Sequence, residues 1–354
     1  MLEKLTIEIF GESHASEIGV KLFGFPAGEA ISEDAVRGFL ARRKSGLNPW
    51  STPRREDDDA VFLSGIKDGK SDGEVITAVI KNVSVKPSDY EEIKYVPRPS
   101  HADYPAFVKY GRIPSGGGAF SGRMTAPLCI AGAIAAEALA RRGIFIGAYM
   151  SKIGKTNGAS YRDREITSEE IEAARSSAFP ALANGEAMIK EIEKARSEGD
   201  SVGGTAECAI FGAPAGLGGA LFSGLESKIA ALAFGIPAVK AVEFGAGTEF
   251  SGLFGSLAND ALGIKNQRAF TYTNNSGGLN GGMTNGMPIL FRVTFRPAPS
   301  IAKEQKSVDL RTMTETTIKI AGRHDACIVP RALPAVESAA ALALFDAMLA
   351  GSAL

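Results

Sequence analysis

The chain has 354 residues, of which 45% are hydrophobic and 22% are charged, and both values are typical of globular proteins. Its formal net charge of −1 gives no strong basic field that would attract nucleic acid or an anionic membrane. Apolar runs are interrupted by charges such as Glu137 and Asp346. We therefore expect neither a transmembrane segment nor a secretory signal.

The cysteine content points to a reducing compartment. The chain has three cysteines, Cys129, Cys208 and Cys327, an odd number that lies far apart in the sequence. Such a set fits reduced thiols better than a disulfide framework. We therefore expect a cytoplasmic protein.

The first predicted elements are short strands and one helix. Apolar residues alternate with polar ones in 4–10, which predicts a strand that ends before the loop G-E-S-H (11–14). Ser32 is a typical N-cap for a helix that continues through Leu40. Further strands are predicted at 60–65 and 74–82.

The second part of the chain adds a long apolar helix. Residues 125–142 are apolar on almost every side of a helix, so we expect burial either in the core or in a contact between subunits. Thr167 and Glu170 form a capping box that begins another helix. The remaining predictions are helices at 184–197, 222–234 and 335–350, and strands at 205–211 and 288–295. Since the elements show no βαβ rhythm, we predict an α+β fold in a single large domain over 1–354.

The histidines are few and lie in charged loops. There are three, in G-E-S-H (11–14), R-P-S-H-A-D (98–103) and G-R-H-D (322–325). Prolines stiffen the second segment and argue against a helix interior there. Because histidine titrates near neutral pH, each is a candidate for proton transfer, with a surface or structural role as the alternative. No H-x-x-x-H or C-x-x-C pattern occurs, so we expect no metal site.

Arginines form the second functional signal. They flank loops and glycine clusters at positions Arg42, Arg43, Arg54, Arg55, Arg98, Arg123, Arg296 and Arg323. Guanidinium groups bind phosphate and carboxylate with two hydrogen bonds, so a polyanionic ligand is one interpretation and solvated surface charge is the other.

The glycine clusters exclude several common phosphate sites. The loop G-G-G-A-F-S-G-R (116–123) lacks the Lys-Ser/Thr of a P-loop, which argues against NTP hydrolysis. No strand precedes a G-x-G-x-x-G segment and no G-x-S-x-G elbow occurs, which argues against a Rossmann site and an α/β-hydrolase. A helix beginning at Thr125 could still offer backbone N–H groups to an anion.

Taken in order, these segments resemble the chorismate synthase family along nearly the whole chain. The matching segments are G-E-S-H (11–14), F-P-A-G (25–28), R-R-K-S-G (42–46), R-R-E-D-D (54–58), R-P-S-H-A-D-Y (98–104), G-G-G-A-F-S-G-R-M-T-A (116–126), E-G-D-S-V-G-G (198–204), G-A-P-A-G-L-G (212–218), G-I-P-A-V-K-A-V-E-F-G (235–245), N-N-S-G-G-L-N-G-G-M (274–283), R-P-A-P-S-I (296–301) and G-R-H-D-A-C-I-V-P-R-A (322–332).

The resemblance implies a fold and a reaction. The fold would be a β-α-β sandwich, with helices between two mainly antiparallel sheets, assembled as a homotetramer. The reaction would be the 1,4-elimination of phosphate from 5-enolpyruvylshikimate 3-phosphate to give chorismate in the shikimate pathway, which leads to aromatic amino acids. It would need reduced FMN without net redox change, and NADPH would be a possible reductant.

The resemblance also assigns roles to individual residues. It implies that His14 protonates the leaving phosphate, that His101 lies near N1 of the flavin and that Asp325 lies near N5. Substrate anions would be bound by Arg43, Arg98, Arg123 and Arg323. The flavin-binding positions would be Ser121, Arg123, Ala238, Gly281, Arg296, Ser300 and Arg323.

Several positions depart from the family pattern. They are Ala15, Pro49, Ala119, Met124, Asn280 and Ala326. Ala15 would add strain of roughly 1 kcal/mol if it needed a positive φ, and Ala119 would weaken binding of the flavin phosphate. Two alternatives follow: a weakened paralogue that only binds flavin or a phosphorylated ligand, and a phosphoryl-transfer enzyme that needs no flavin.

Overall fold

Two antiparallel β-sheets enclose a layer of helices in the computed structural model, which describes residues 2–44, 46, 58–82, 94–320 and 325–351. Helices from the middle and the end of the chain pack against each other and against both sheets. This arrangement confirms the predicted α+β fold with helices between two sheets.

The described strands are mostly short. They are β1 (Thr6–Gly11), β2 (Glu17–Phe23), β3 (Ala60–Ser64), β4 (Ile66–Lys67), β5 (Lys70–Ser71), β6 (Ile76–Lys81), β7 (Phe145–Ile153), β8 (Thr156–Asn157), β9 (Gly204–Phe211), β10 (Val239–Phe244), β11 (Leu262–Lys265), β12 (Arg268–Thr271), β13 (Leu279–Asn280), β14 (Met283–Thr284), β15 (Ile289–Phe295), β16 (Gln305–Asp309) and β17 (Thr314–Ile318).

The described helices range from one turn to six. They are α1 (Glu33–Ala41), α2 (Asp103–Tyr110), α3 (Thr125–Ala140), α4 (Ser168–Arg175), α5 (Gly185–Ser197), α6 (Leu225–Phe234), α7 (Gly255–Ala258) and α8 (Val329–Ala350).

The two large sheets have four and five strands. The first has the order β1-β2-β6-β3 and the second has the order β10-β15-β9-β7-β8, and every pairing is antiparallel. Along β15, buried and half-buried residues alternate, so Ile289, Phe291, Val293 and Phe295 turn one apolar face inward. Helices α3 and α8 cover the inner faces.

The long apolar helix belongs to the core of the chain. Thirteen of its residues between Thr125 and Leu139 are buried, and a side chain at Gly132 would overlap Ser338 of α8. Within the described part of the chain, residues 122–140 and 329–350 are apolar and long enough to span a membrane, but 83% and 94% of the two windows are buried inside the protein. Their apolar composition therefore serves packing between the sheets.

Most predicted elements are present with shifted ends, including the capping box at Thr167 and Glu170. Helix α8 begins at Val329 instead of 335, because Pro330 lies in its first turn and the interior Pro334 is tolerated. The stiff 98–107 segment, in which we expect no helix interior, contains the start of a helix. Helix α2 begins at Asp103 and places Pro105 in its first turn, where a missing N–H costs no hydrogen bond.

Candidate active site

Loops from distant parts of the chain line one cavity of about 620 Å³. Its volume is that of a typical small-molecule site. The predicted site residues among those that line it are His14, Arg43, Arg98, His101, Ser121, Arg123, Ala238, Arg296, Ser300 and Asp325. The fold thus brings the two predicted histidines, the carboxylate and several guanidinium groups around one space.

Two predicted site residues are not placed there. Gly281 lies in the turn between β13 and β14 and is not among the described residues that line the cavity. Arg323 lies outside the described residues, as do the candidate His324 and the arginines at 54 and 55. The departure at Pro49 also falls on a residue outside the described ranges.

His14 follows β1 and faces the glycine loop. The Oγ atom of Ser13 lies 3.0 Å from Nδ1 of His14, and Ser13 itself is buried. Gly116 has a φ of 67°, and a Cβ there would overlap the imidazole ring. Glycine therefore allows the loop to approach this ring closely. Ala15 is not among the residues with positive φ, so the strain considered for it does not arise.

Arg98 and His101 lie in a tight turn that leads into α2. Ser100 has a φ of 60°, and its carbonyl oxygen accepts a hydrogen bond from Nη1 of Arg296. The Asp103 carboxylate accepts hydrogen bonds from both Arg98 and Nδ1 of His101. Burial alone would raise the pKa of Asp103, but these hydrogen bonds outweigh it and hold that pKa well below its usual range.

Arg43 and Arg123 share a second buried carboxylate. Nη1 of Arg43 donates to Oδ2 of Asp58 at 2.6 Å, and Nη1 of Arg123 contacts Oδ1 of the same group. Nε of Arg43 also donates to Thr125 at 3.0 Å, and Nε of Arg123 donates to Asn82 at 3.1 Å. Burial alone would raise the pKa of Asp58, but the charges of the two arginines outweigh it and lower that pKa.

Asp325 is paired with an arginine that the sequence did not single out. Nη1 of Arg331, in the first turns of α8, contacts Oδ2 of Asp325, and Nε of Arg331 donates to the carbonyl of Arg43 at 3.1 Å. In the sequence, Arg331 is simply the last arginine of the family segment 322–332. The acidic partners Asp58 and Asp103 also lie in family segments, but the sequence alone assigns them no role.

The cysteines and acidic groups give no sign of metal or thiol chemistry in the described ranges. No group of three or more His, Cys, Asp or Glu residues there could hold a metal ion. Cys129, Cys208 and Cys327 are free and buried, and burial raises the pKa of Cys327 to about 12. A thiol with such a pKa is a poor nucleophile at neutral pH.

Comparisons with known proteins show the family to which the chain belongs. The family model described as chorismate synthase matches residues 5–349. The chorismate synthase of Thermococcus kodakarensis is 44% identical over 347 residues, covering 98% of this chain and 96% of the relative. That of Lancefieldella parvula is 42% identical, with 97% and 94% coverage.

A solved structure also matches along the full length. It is described as the crystal structure of chorismate synthase, is 27% identical and superposes with a TM-score of 0.77 over 99% of this chain and 93% of the other. With matches in sequence and in three dimensions along almost its whole length, the chain belongs to the chorismate synthase family and is an enzyme of the carbon–oxygen lyase class.

Proposed function

We propose that the protein converts 5-enolpyruvylshikimate 3-phosphate to chorismate by a 1,4-elimination of phosphate, with reduced FMN and no net redox change. The observation that carries this proposal is the shared cavity, which is lined by His14, His101 and Asp325 together with several arginines. Phosphate elimination needs an anion site, a proton donor at the leaving oxygen and a proton acceptor at carbon. Residues of the right type for each task line this one space.

The arginines suit the charges of the proposed substrate, which carries one phosphate and two carboxylates. Arg43, Arg98 and Arg123 are 2%, 2% and 8% exposed, so their charges act in a medium that screens them weakly. Asp58 and Asp103 fix the orientation of these guanidinium groups before substrate arrives. Preorganised cations of this kind stabilise the negative charge that develops on the phosphate oxygen as its bond to carbon breaks.

The proton transfers are assigned to His14 and Asp325. In this proposal the bond between carbon and the phosphate oxygen breaks while His14 donates a proton to that oxygen. The C–H bond at the other end of the allylic system breaks, and its proton passes to the Asp325 carboxylate. The C–H electron pair forms a new double bond, the existing double bond shifts, and the C–O electron pair leaves with the phosphate. The Oγ atom of Ser13 lies 3.0 Å from Nδ1 of His14 and helps to orient the imidazole ring.

The cavity also fits a flavin. The loop 116–118 is built from three glycines with positive φ, which allows a flat ring to approach the backbone closely. Hydroxyl and guanidinium donors for a phosphate-bearing cofactor come from Ser121, Arg296 and Ser300, and Ala238 adopts a φ of 73° beside them. When bound, reduced FMN supplies electron density to the allylic system, and the protein supplies orientation and charge. Gly281 and Arg323 remain predicted flavin positions.

An anaerobic assay tests the proposal. Chorismate and phosphate are followed with dithionite-reduced FMN, with NADPH plus FMN, and without flavin. We expect product with dithionite-reduced FMN and none without flavin. Product formation with NADPH plus FMN would show that no separate reductase is needed. Turnover without flavin would favour the phosphoryl-transfer alternative, and a perturbed flavin spectrum without product would favour a protein that only binds its ligands.

We also propose the homotetramer that the family resemblance implies. The ribbon of β11 and β12 supports it, because Leu262 and Ile264 are 76% and 83% exposed and an isolated two-stranded ribbon is marginally stable in water. Neighbouring Phe254 and Leu257 are also exposed. We expect a second copy of the chain to cover this surface. Sedimentation at micromolar concentration tests this, and a monomer would contradict it. The cytoplasmic location remains a prediction from the cysteines.

A further inference from the structure

Behind the cavity lies a carboxylate that contacts two of its predicted functional residues. The Asp103 side chain is 0% exposed and does not line the cavity, whereas Arg98 and His101 do. Its Oδ1 lies 2.6 Å from Nδ1 of His101 and 2.8 Å from Nη2 of Arg98. Its Oδ2 lies 2.7 Å from Nε and 3.0 Å from the backbone N of Arg98. One buried group therefore joins a predicted substrate contact to a predicted flavin contact.

We propose that Asp103 is a positioning residue: it fixes the proton of His101 on Nδ1, directs Nε2 into the cavity, and locks the guanidinium plane of Arg98. The effect of Asp103 on catalysis rests on the proposed function, because it assumes that His101 faces the flavin and that Arg98 binds the substrate. The position of the proton on Nδ1 of His101 does not depend on either ligand.

The His101 part follows from the acceptor character of a carboxylate. The hydrogen bonds from Arg98 and His101 keep the pKa of Asp103 low, so Asp103 is ionised at neutral pH and can only accept. The ring nitrogen that faces it at 2.6 Å must therefore carry a hydrogen. A Cβ built on Gly117 would lie 3.6 Å from Nε2 of His101, which places this second nitrogen against the glycine loop of the cavity.

The Arg98 part follows from the geometry of the guanidinium. Nε and Nη2 donate to the two oxygens of Asp103, and this bidentate arrangement fixes the plane of the group. Nη1 donates to the Oγ atom of Ser300 at 3.3 Å, and Ser300 also lines the cavity. The Arg98 side chain is only 2% exposed. An anion in the cavity can therefore contact only the edge of the guanidinium group that faces the cavity.

The local backbone explains why the carboxylate is held in this position. Asp103 is the first residue of α2, where the positive end of the helix dipole favours a negative charge. The turn before it contains Pro99 and the left-handed Ser100, whose carbonyl is tied to Arg296. The acceptor and both donors therefore belong to one short, stiff segment.

A purely structural role for Asp103 makes a different prediction. A buried ion pair that serves stability alone would lower the unfolding temperature when broken, without any consequence for the ring protons of His101. The ring protons are therefore the informative readout, and they can be measured without flavin or substrate.

The first measurement uses the wild-type protein. With ¹⁵N-histidine labelling, only three imidazoles contribute, at positions 14, 101 and 324. The variants His14→Asn and His324→Asn assign the His101 signals by elimination. We expect Nδ1 of His101 to be protonated throughout the pH range in which the protein is folded. A bare Nδ1 with a proton on Nε2 would overturn the proposal, and this result requires no variant of Asp103.

The second measurement uses Asp103→Asn. The amide oxygen should keep the place of Oδ2, which receives two bonds from Arg98, so the NH₂ group faces Nδ1 of His101. That nitrogen must then become an acceptor, and we expect the ring proton to move to Nε2. In the anaerobic assay we expect the substrate KM to rise and kcat to fall by about 100-fold, the cost of misplacing groups by about an ångström.

The matched control is Asp309→Asn, which breaks an arginine–carboxylate pair with Arg311 that is half-exposed on the surface. It should leave the His101 spectrum and the kinetics unchanged. If Asp103→Asn does not fold, Asp103→Glu keeps the charge and should retain the proton on Nδ1 with impaired kinetics. Wild-type ring protons and kinetics in Asp103→Asn would refute the proposal. An inactive wild type with a protonated Nδ1 would count against the proposed function alone.

Discussion

The Asp58 carboxylate accepts a hydrogen bond from Nη1 of Arg43 at 2.6 Å, and the two side chains are only 1% and 2% exposed. Arg123 contacts the other oxygen of the same carboxylate. The negative charge of Asp58 thus contacts two cations that line the cavity and would otherwise repel each other. We infer that Asp58 permits the close approach of two arginines at one anion site.

Replacing Asp58 by asparagine should therefore destabilise the protein. Removing one partner of a buried ion pair leaves uncompensated charge, which typically costs about 3–5 kcal/mol. We expect a loss of this size in the free energy of unfolding at pH 7, measured by urea titration. The exposed Asp34→Asn is the control and should change little.

The same variant has a predictable pH dependence. The pKa of Asp58 is lower in the folded state, so its contribution to stability is present above the unfolded value of about 3.9 and is lost as the pH falls through the folded value. The difference in unfolding free energy between wild type and Asp58→Asn should therefore shrink below about pH 4. A difference that stays constant from pH 7 to the acid transition would show that this carboxylate is not the group responsible.

Gly116→Ala should reduce activity through His14. The added Cβ would overlap the imidazole ring, and the left-handed φ of 67° adds strain of roughly 1 kcal/mol. We expect kcat for phosphate release to fall by about 100-fold because the ring must move. Gly111→Ala is a matched control, since Gly111 has a φ of 72° but no atom within 4 Å of its Cβ. Equal losses of activity in both variants would mean that backbone strain, not ring displacement, is the cause.

The fold class could be predicted from local patterns, but several element ends could not. Strand β15 alternates between buried and half-buried residues and was predicted within one residue of its observed start. Strand β7 was missed because six consecutive residues, Ile146–Ser151, are buried and leave no alternation to read. The start of α8 was placed too late because Pro330 and Pro334 resemble helix breakers in sequence.

In the candidate site, residues to which the family resemblance assigns a role could be predicted from the sequence, but the groups that support them could not. His14 and Asp325 stand in the family's motifs and are candidate site residues from the sequence, and both line the cavity. The supporting groups Asp58 and Arg331 were not predicted, because their roles depend on contacts with Arg43 and Asp325 that exist only after folding. The sequence does show an acidic residue, Asp103, two positions after His101. Only the folded structure shows that its carboxylate contacts both His101 and Arg98.

Gly132→Ala should destabilise the contact between α3 and α8. A Cβ at Gly132 would overlap the side chain and backbone of Ser338, whose Oγ already donates to the carbonyl of Pro334 at 2.7 Å. Overpacking of this kind typically costs about 1–3 kcal/mol, and thermal unfolding would measure it. Gly38→Ala in α1 is the matched control, because no atom lies within 4 Å of its Cβ and alanine favours a helix by about 0.5–1 kcal/mol. The two substitutions should therefore shift the unfolding temperature in opposite directions, and a stabilised Gly132→Ala would contradict the close packing of these helices.

The last prediction concerns Asp346, whose charge interrupts the apolar helix α8. Its Oδ1 accepts hydrogen bonds from the backbone N of Lys4 at 2.7 Å and of Leu5 at 2.9 Å, and its Oδ2 accepts one from Nζ of Lys228 at 2.9 Å. The carboxylate thereby anchors the segment that leads into β1. Asp346→Asn should lower the free energy of unfolding by about 1–3 kcal/mol, because it removes the charged acceptor of these bonds. Lys228, which is 1% exposed, keeps its ion pair with Glu3 at 3.0 Å.

Hydrogen exchange separates this anchoring role from a general loss of stability. In Asp346→Asn the amides of Lys4 and Leu5 should exchange faster by a larger factor than those of β9, which pairs with β7 and β15 and not with this carboxylate. Lys228→Met is the comparison, because it leaves the backbone bonds of Asp346 intact and should affect these amides less. Since β1 remains paired with β2, kcat should stay near that of wild type while the protein is folded. Uniform acceleration in both regions would mean that Asp346 stabilises the whole fold without holding this segment in particular.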